Sequence, residues 1–350
     1  MTLPGMDLAA VTRFLTERGV PVRGELTAEQ ISGGRSNLTF KLSDGTSAWV
    51  LRRPPIAGLT PSAHDMAREY TVTTALRSTA VPVAGTVAID REGAVLGAPC
   101  TVVDFVPGLV VRDRDDLAAL TDAQVRGVTD SLIDVLVALH AVDHRAVGLE
   151  SFGRPEGYVS RQVRLWARQW EQVKTRELPD ATRLAAALLD FEPPAATSIV
   201  HGDFRVDNTI LDQDRPEVVR AVVDWEMSTL GDPLTDLALM CVYRDPDFDR
   251  VLGSAAAWTS DRLPSPDELA QRYAVTSGRD LGPWDHYLAL ANFKLAVIAE
   301  GIAYRAHQGA DAGRGAVAAA DATPVFMAAG LRLLRHPHRG ADTVTATNHS

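Results

Sequence analysis

Asp203, Asn208 and Asp224 are the residues of this chain whose types and spacing point most directly to chemistry. Asp203 and Asn208 stand five positions apart in Ile199-Val-His-Gly-Asp-Phe-Arg-Val-Asp-Asn208. Asp224 follows sixteen positions after Asn208, in Val222-Val-Asp-Trp-Glu226. A carboxylate within hydrogen-bond reach of a hydroxyl aims that oxygen and accepts its proton late in a displacement. A side-chain amide and a second carboxylate supply oxygen ligands suited to Mg²⁺, a hard ion that keeps waters and bridges phosphates. Phosphoryl transfer needs these functions at one point. The set therefore predicts Asp203 as the catalytic carboxylate, Asn208 and Asp224 as metal ligands, and ATP and Mg²⁺ as cofactors.

Arg205, two positions beyond Asp203, is placed to neutralise charge on a transferring phosphoryl group and joins the catalytic set. His201 reads as a brace for the loop, and Asp207 as a loop-capping acid. Upstream, Gly33 and Gly34 with Ser36 and Asn37 form a turn whose backbone N–H groups can cover phosphates. Arg52, ending a strand, and Glu69, on the next helix, are expected to pair, with the cation contacting the α- and β-phosphates. Singly, each is an ordinary surface charge. Their order along the chain gives them weight: glycine turn, strand cation, helix acid, linker, then the Asp203 loop and the Asp224 segment.

The elements that must position these residues are legible in outline. The apolar runs Thr197 to Val200 and Val218 to Val223 each deliver an acid just past their end. Leu8 to Arg18 predicts a helix with Asp7 as N-cap. Alternation after Ile31, with a turn at Asp44-Gly45, predicts a hairpin into Ala48 to Arg52. A helix over Ser62 to Ser78 and strands near Val83 to Ile89 and Cys100 to Phe105 complete a small mixed unit. Beyond Gly108 helical periodicity dominates: Gln124 to His140, Gly157 to Arg176, Ala181 to Leu189, Pro233 to Tyr243, Pro266 to Thr276 and Trp284 to Gln308. The expectation is an α+β, two-lobed chain: an N-lobe over 1–106, a linker near 104–108, a helical C-lobe over 109–338, and a disordered tail over 339–350.

Composition narrows the class. The 350 residues are 46% hydrophobic and 23% charged, with a formal net charge of −10. That balance argues against nucleic-acid binding, which usually shows a basic surface. With 2 cysteines there is neither a disulfide framework nor a zinc cluster. No apolar run approaches the roughly 20 residues of a membrane helix, and the first residues lack the basic and apolar parts of a signal peptide. The expectation is a cytoplasmic protein that binds neither nucleic acid nor membrane.

The ordered motifs resemble the aminoglycoside phosphotransferase and choline kinase superfamily, which has the protein-kinase-like fold. His201-Gly-Asp-Phe-Arg-Val-Asp-Asn208 is similar to its HGDxxxxN loop, Asp224-Trp-Glu226 to its metal-binding segment, and Gly231-Asp-Pro-Leu-Thr-Asp-Leu-Ala238 to the stretch that follows. The similarity spans roughly residues 25 to 310. It implies that Asp104, Phe105 and Val106 form the hinge that hydrogen-bonds adenine, and that Asp232 and Asp236 support the loops. One departure stands out: the family's nucleotide-binding Lys is replaced, in Val50-Leu-Arg-Arg-Pro-Pro55, by Arg52 or Arg53. The planar fork of Arg differs in reach from an ammonium. "VLRRPP", "REY" and the helix Phe293 to Ile302 resemble a narrower subgroup, found fused to or encoded beside acyl-CoA dehydrogenases. That likeness implies a hydroxylated acyl or other metabolic acceptor. A true aminoglycoside 3′-type kinase and a nucleotide-binding protein without transfer remain as alternatives.

For the acceptor, Arg161, Arg164 and Arg168 recur three and four apart and so share a helix face. Such a stripe suits an anionic group, or is simply a solvated face. Trp166 and Trp170 read as packing rather than as a substrate shelf.

Overall fold

The computed structural model describes residues 5–31, 37–55, 65–309 and 315–335. Gly33, Gly34 and Ser36, and the tail over 339–350, lie outside the described residues. α1 (Leu8–Glu17) is capped by Asp7, whose side chain accepts the Ala10 N–H at 3.0 Å. Five strands, β1 (Thr27–Gln30), β2 (Leu38–Ser43), β3 (Ala48–Arg53), β4 (Thr86–Asp90) and β5 (Cys100–Asp104), form an antiparallel sheet in the order β1-β2-β3-β5-β4. α2 (Met66–Leu76) lies between β3 and β4 in the chain.

The pleat sorts the residues of β2 and β3. Phe40, Leu42, Trp49 and Leu51 share one face and pack with Val11, Phe14 and Leu15 of α1. Each such burial is worth about 1.5–3 kcal/mol. The alternate positions, Val50 and Arg52, turn to the opposite face, where the cavity lies. α2 is shared between the lobes: its Val72 and Leu76 belong to the larger core of the helical half.

That half contains α3 (Arg114–Ala118), α4 (Asp122–Ala141), α5 (Tyr158–Val173), α6 (Pro179–Leu189), α7 (Pro233–Val242), α8 (Phe248–Leu252), α9 (Pro266–Ser277), α10 (Trp284–His307) and α11 (Ala316–Arg335). Inserted before α7 are four short strands: β6 (Ser198–Val200), β7 (Thr209–Leu211), β8 (Val219–Val222) and β9 (Thr229–Gly231). β6 pairs with β9 and β7 with β8, both antiparallel. This nesting is what assembles the site. The 201–208 loop joins β6 to β7 and the 223–228 segment joins β8 to β9, so the two connections must face each other.

The arrangement is a two-lobed α+β fold. Several elements go beyond the sequence expectation: β1, α3, α8, β9 and above all α11. Pro324 sits inside α11 and argues against a helix on local grounds. Packing overrides it, because Ala319, Ala322, Thr323, Phe326 and Met327 are buried. α10 and the 317–335 part of α11 are also long and apolar enough to cross a membrane by length and composition, which corrects the expectation that no segment would be. Interspersed Asn292, Lys294 and Glu300 hid that property of α10 in a run-by-run reading, and most of α10 is buried among other helices.

Candidate active site

Asp203 sits just past β6, and both oxygens of its carboxylate are engaged. Oδ1 accepts the Tyr243 hydroxyl at 2.6 Å, and Oδ2 accepts Asn208 Nδ2 at 3.0 Å. Arg205 Nε lies 3.4 Å from Oδ1. Burial by itself would raise the pKa of Asp203, yet Arg205, Tyr243 and Lys294 together hold it below the usual carboxylate range. It is an ionised hydrogen-bond acceptor at neutral pH.

The loop beneath it is braced from behind. His201 is fully buried; its Nδ1 accepts the Asp203 N–H at 3.2 Å and its Nε2 donates to Val223 O at 3.0 Å. These partners define a neutral imidazole with the proton on Nε2. Asp236 accepts the backbone N–H groups of His201 at 2.6 Å and Gly202 at 2.8 Å. His140 stands 3.4 Å from the same carboxylate. Asp232 caps α7 through Leu234 N and accepts the Tyr287 hydroxyl at 2.8 Å. Gly202 has φ +85, and a Cβ there would stand 2.8 Å from Met227 O and Cβ. Glycine is required on both counts.

Asp224 follows β8 and is the only non-glycine residue with positive φ among the described residues, at φ 65 and ψ 57. This costly conformation turns its side chain toward the Asn208 end of the site. Val223 N donates to Asn208 O at 2.9 Å, which keys the two segments together. Asn208 gives its amide N–H groups to Asp203, leaving carbonyl Oδ1 outside those bonds. Asp224 gives Oδ1 to Arg52 Nη2 at 2.9 Å, leaving Oδ2. Glu226 accepts Asn37 Nδ2 at 3.3 Å. Burial, then the charge of Asp224, pushes Glu226 up to about 7. Two free oxygens in a crowd of acids are a good seat for a hard cation. Among the described residues no group of three His, Cys, Asp or Glu could hold a metal alone. The donor set fits Mg²⁺, which takes one or two protein ligands and completes its shell from water and phosphate.

Arg52, not Arg53, faces the site. Its guanidinium bridges Glu69 and Asp224. Burial alone would weaken its hold on the proton, but those two carboxylates more than compensate and keep it charged. Arg53, one position on, points to the other face of the sheet and binds Gly5 O at 2.6 Å. Arg52 lines a cavity of about 330 Å³ between the lobes, with Val50, Phe105, Val106, Ile210 and Asp224. Asp104 lines it too. The N–H of Asp104 is spent on Gly85 O and that of Phe105 on Ala48 O. Val106 N–H has no backbone partner among the described residues and is free for a ligand.

Two expectations need correction. Arg205 is engaged within the protein itself, with Asp207 Oδ2 2.7 Å from its Nη1. Its guanidinium also lies 5.4 Å from the ring centre of Tyr243 and 5.5 Å from that of Phe248. Asp207 is thus a buried partner rather than a simple cap, with burial, against Arg205, pushing it up to about 6. The stripe of Arg161, Arg164 and Arg168 does not reach Asp203. Arg161 binds the carbonyls of Glu156 and Arg154, while Arg164 and Arg168 are exposed. The buried stripe Val159, Val163, Trp166 and Trp170 fixes the rotation of α5. It turns Tyr158, Gln162 and Trp166 to a small recess beside Gly202 and Lys294.

Tyr243 and Lys294 were not singled out from sequence. Lys294 donates to Gly202 O at 2.8 Å from α10, and burial draws its pKa down. A lysine within the apolar stretch Phe293 to Ile298 was the available signal; Tyr243, at a helix end, carried none.

A family model for the phosphotransferase enzyme family matches residues 27–272. Chicken acyl-CoA dehydrogenase family member 11 is 36% identical over 308 residues, covering 85% of this chain and 39% of that protein. The chain spans less than half the length of the curated relatives it matches. A crystal structure from Ralstonia eutropha JMP134, assigned by name to the aminoglycoside phosphotransferases, is 30% identical with a TM-score of 0.80, covering 94% of this chain and 98% of that one. Aminoglycoside phosphotransferase APH(4)-Ia, in ternary complex with AMP-PNP and hygromycin B, is 17% identical with a TM-score of 0.59, covering 95% and 99%, and shares the fold. By its motifs, its nested strands and these likenesses, the chain belongs to the phosphotransferase enzyme family.

Proposed function

We propose that the protein is an ATP- and Mg²⁺-dependent kinase that phosphorylates a hydroxyl of a small molecule, with a hydroxylated acyl compound as acceptor. The observation that carries this is that Asn208 and Asp224 line the cavity between the lobes and Asp203 is hydrogen-bonded to Asn208 beside it. Phe105 and Val50 would flank adenine, with Val106 N–H as its donor. Arg52 would hold the α- and β-phosphates. Asn208 Oδ1 and Asp224 Oδ2 would hold Mg²⁺, which when bound neutralises charge on the phosphate oxygens. Asp203 aims the acceptor hydroxyl at the γ-phosphorus. The new O–P bond forms as the bond to the β–γ bridging oxygen breaks, ADP leaves, and the hydroxyl proton passes to the Asp203 carboxylate. Its depressed pKa makes it a weak base, so the proton moves late, as a loose transition state requires. Arg205 supports Asp203 electrostatically.

The acyl character of the acceptor rests on the names of the curated relatives, which are acyl-CoA dehydrogenase family members. Placement in the cytoplasm stays part of the proposal. A second reading is nucleotide binding without transfer, favoured by the Arg52 contact to Asp224, which engages one oxygen of a metal ligand. Assays of MgATP binding and of [γ-³²P]ATP transfer to hydroxyacyl-CoAs and to kanamycin separate these readings. Asp203→Ala is expected to bind MgATP as wild type does and to lose about 10²–10⁴-fold in kcat. Equal turnover of the two proteins sinks the role of Asp203. Transfer to kanamycin alone overturns the acyl acceptor.

A further inference from the structure

Arg68 and Glu69 are neighbours on α2, and they grip one segment of chain at its two ends. Glu69 pairs with Arg52, which holds Asp224 Oδ1 at 2.9 Å. Four residues beyond Asp224, Ser228 offers its carbonyl to Arg68 Nε at 2.6 Å. Arg68 Nη2 also donates to Phe152 O at 2.6 Å, and the guanidinium lies 4.2 Å over the Phe152 ring. A planar fork committed to carbonyls on two different segments has little freedom left. The segments are themselves packed without slack: a Cβ on Gly153 would stand 2.4 Å from Thr229 Oγ1 and 2.7 Å from Leu230 N.

The two halves of α2 are anchored differently. Its later residues Val72 and Leu76 are bedded in the larger core. Its first turn carries the buried Met66 and Glu69, and Arg68 supplies that turn's direct hydrogen bonds to the helical lobe. Glu69 Oε2 is buried without a hydrogen-bond partner, so the whole grip of Glu69 on Arg52 runs through one oxygen. A small rotation of the turn would break it.

Building on the kinase reading above, we infer that Arg68 is a positioning residue for the phosphate and metal end of the nucleotide site. Its contacts with Ser228 O and Phe152 O lock α2 onto the 224–228 segment and the turn at Phe152, and so fix the spacing of Glu69, Arg52 and Asp224. Arg68 itself touches no substrate. Its loss is felt by the phosphates and their metal and not by the base, which the 104–106 linker holds.

The test compares wild type, Arg68→Ala and Arg68→Lys, with Arg164→Ala as an exposed control. Two readouts are used: hydrogen exchange of the ligand-free proteins, and calorimetric binding of MgAMP-PNP and of adenosine. Arg68→Ala is expected to speed exchange in both 66–76 and 225–231. It should weaken MgAMP-PNP about tenfold, the scale of one charge-assisted contact, and leave adenosine within about twofold. Arg68→Lys keeps the charge without the fork and should fall between; it carries the test alone if Arg68→Ala does not fold. Unchanged exchange at 225–231, or equal weakening of adenosine and MgAMP-PNP, overturns the inference. A wild type that binds MgAMP-PNP but transfers phosphate from ATP to no acceptor overturns the transfer reading and leaves the strap standing.

Discussion

Tyr243 and Asn208 divide the carboxylate of Asp203 between them, one oxygen each. The consequence is a carboxylate with a fixed rotamer and a reduced appetite for protons. The Tyr243 hydroxyl is one of the groups that hold Asp203 down, so removing it must move the pKa up. Tyr243→Phe is expected to shift the acidic limb of the kcat/KM profile to higher pH and to lower kcat about tenfold, since a hydrogen bond to a charged group is worth about 1.5–3 kcal/mol. A profile measured from pH 4 to 8 checks both; an acidic limb that stays in place refutes the tuning role. Asp203, Asn208 and Asp224 could be picked out from residue type and spacing, because the chemistry constrains both. Tyr243 could not, because it reaches Asp203 across forty residues through the packing of α7.

At the scale of elements, the site is made by two short hairpin-like pairings and one helix. Asp236, near the start of α7, takes two backbone N–H groups of the 201–208 loop. Burial would raise its pKa, but His140 and the His201 backbone N–H outweigh burial and lower it. A depressed value stabilises the fold above the ordinary carboxylate range near 3.9 and is lost only as pH falls through the lower folded value. Asp236→Asn should therefore cost about 3 kcal/mol at pH 7, with the gap to wild type closing below about pH 4; urea midpoints across pH measure it. Gly202 is the complementary test of the same loop. Gly202→Ala must bear an unfavourable φ of about 1–2 kcal/mol and displace Met227, so stability and kcat should fall together. An alanine variant with wild-type melting would show that the close approach to Met227 is not tight. α5 and α11 show where elements outrun sequence: a charged stripe on α5 faced outward because the apolar stripe set the rotation, and Pro324 was tolerated because α11 lies along α10.

At the scale of the molecule, α2 packs both against β4 and β5 of the sheet and against the 225–227 segment of the helical half, beside the cavity. A ligand that engages both lobes and binds only the folded chain must raise its stability. MgATP at a hundred times its Kd is expected to add about 2.7 kcal/mol, read as a rise in melting temperature. Asp224→Asn should abolish the increment that Mg²⁺ adds over ATP alone while leaving the ligand-free melt close to wild type. A ligand-free variant that melts far below wild type would assign Asp224 to the fold rather than to the metal.

By itself the sequence determined the chemistry and the order of the parts. Motifs such as His201 to Asn208 and Asp224 to Glu226 are local, and backbone preference and residue type suffice to read them. It also determined the alternation that puts Arg52 and Arg53 on opposite faces of one strand. Only the tertiary structure decided which of the two faces the cavity. It also decided that Asp207 pairs with Arg205, that the arginines of α5 miss the site, and that Arg68 and Tyr243 reach it. Those outcomes depend on contacts between residues far apart in the chain. They are set by the free energy of burying whole helix faces, which no single stretch of sequence carries.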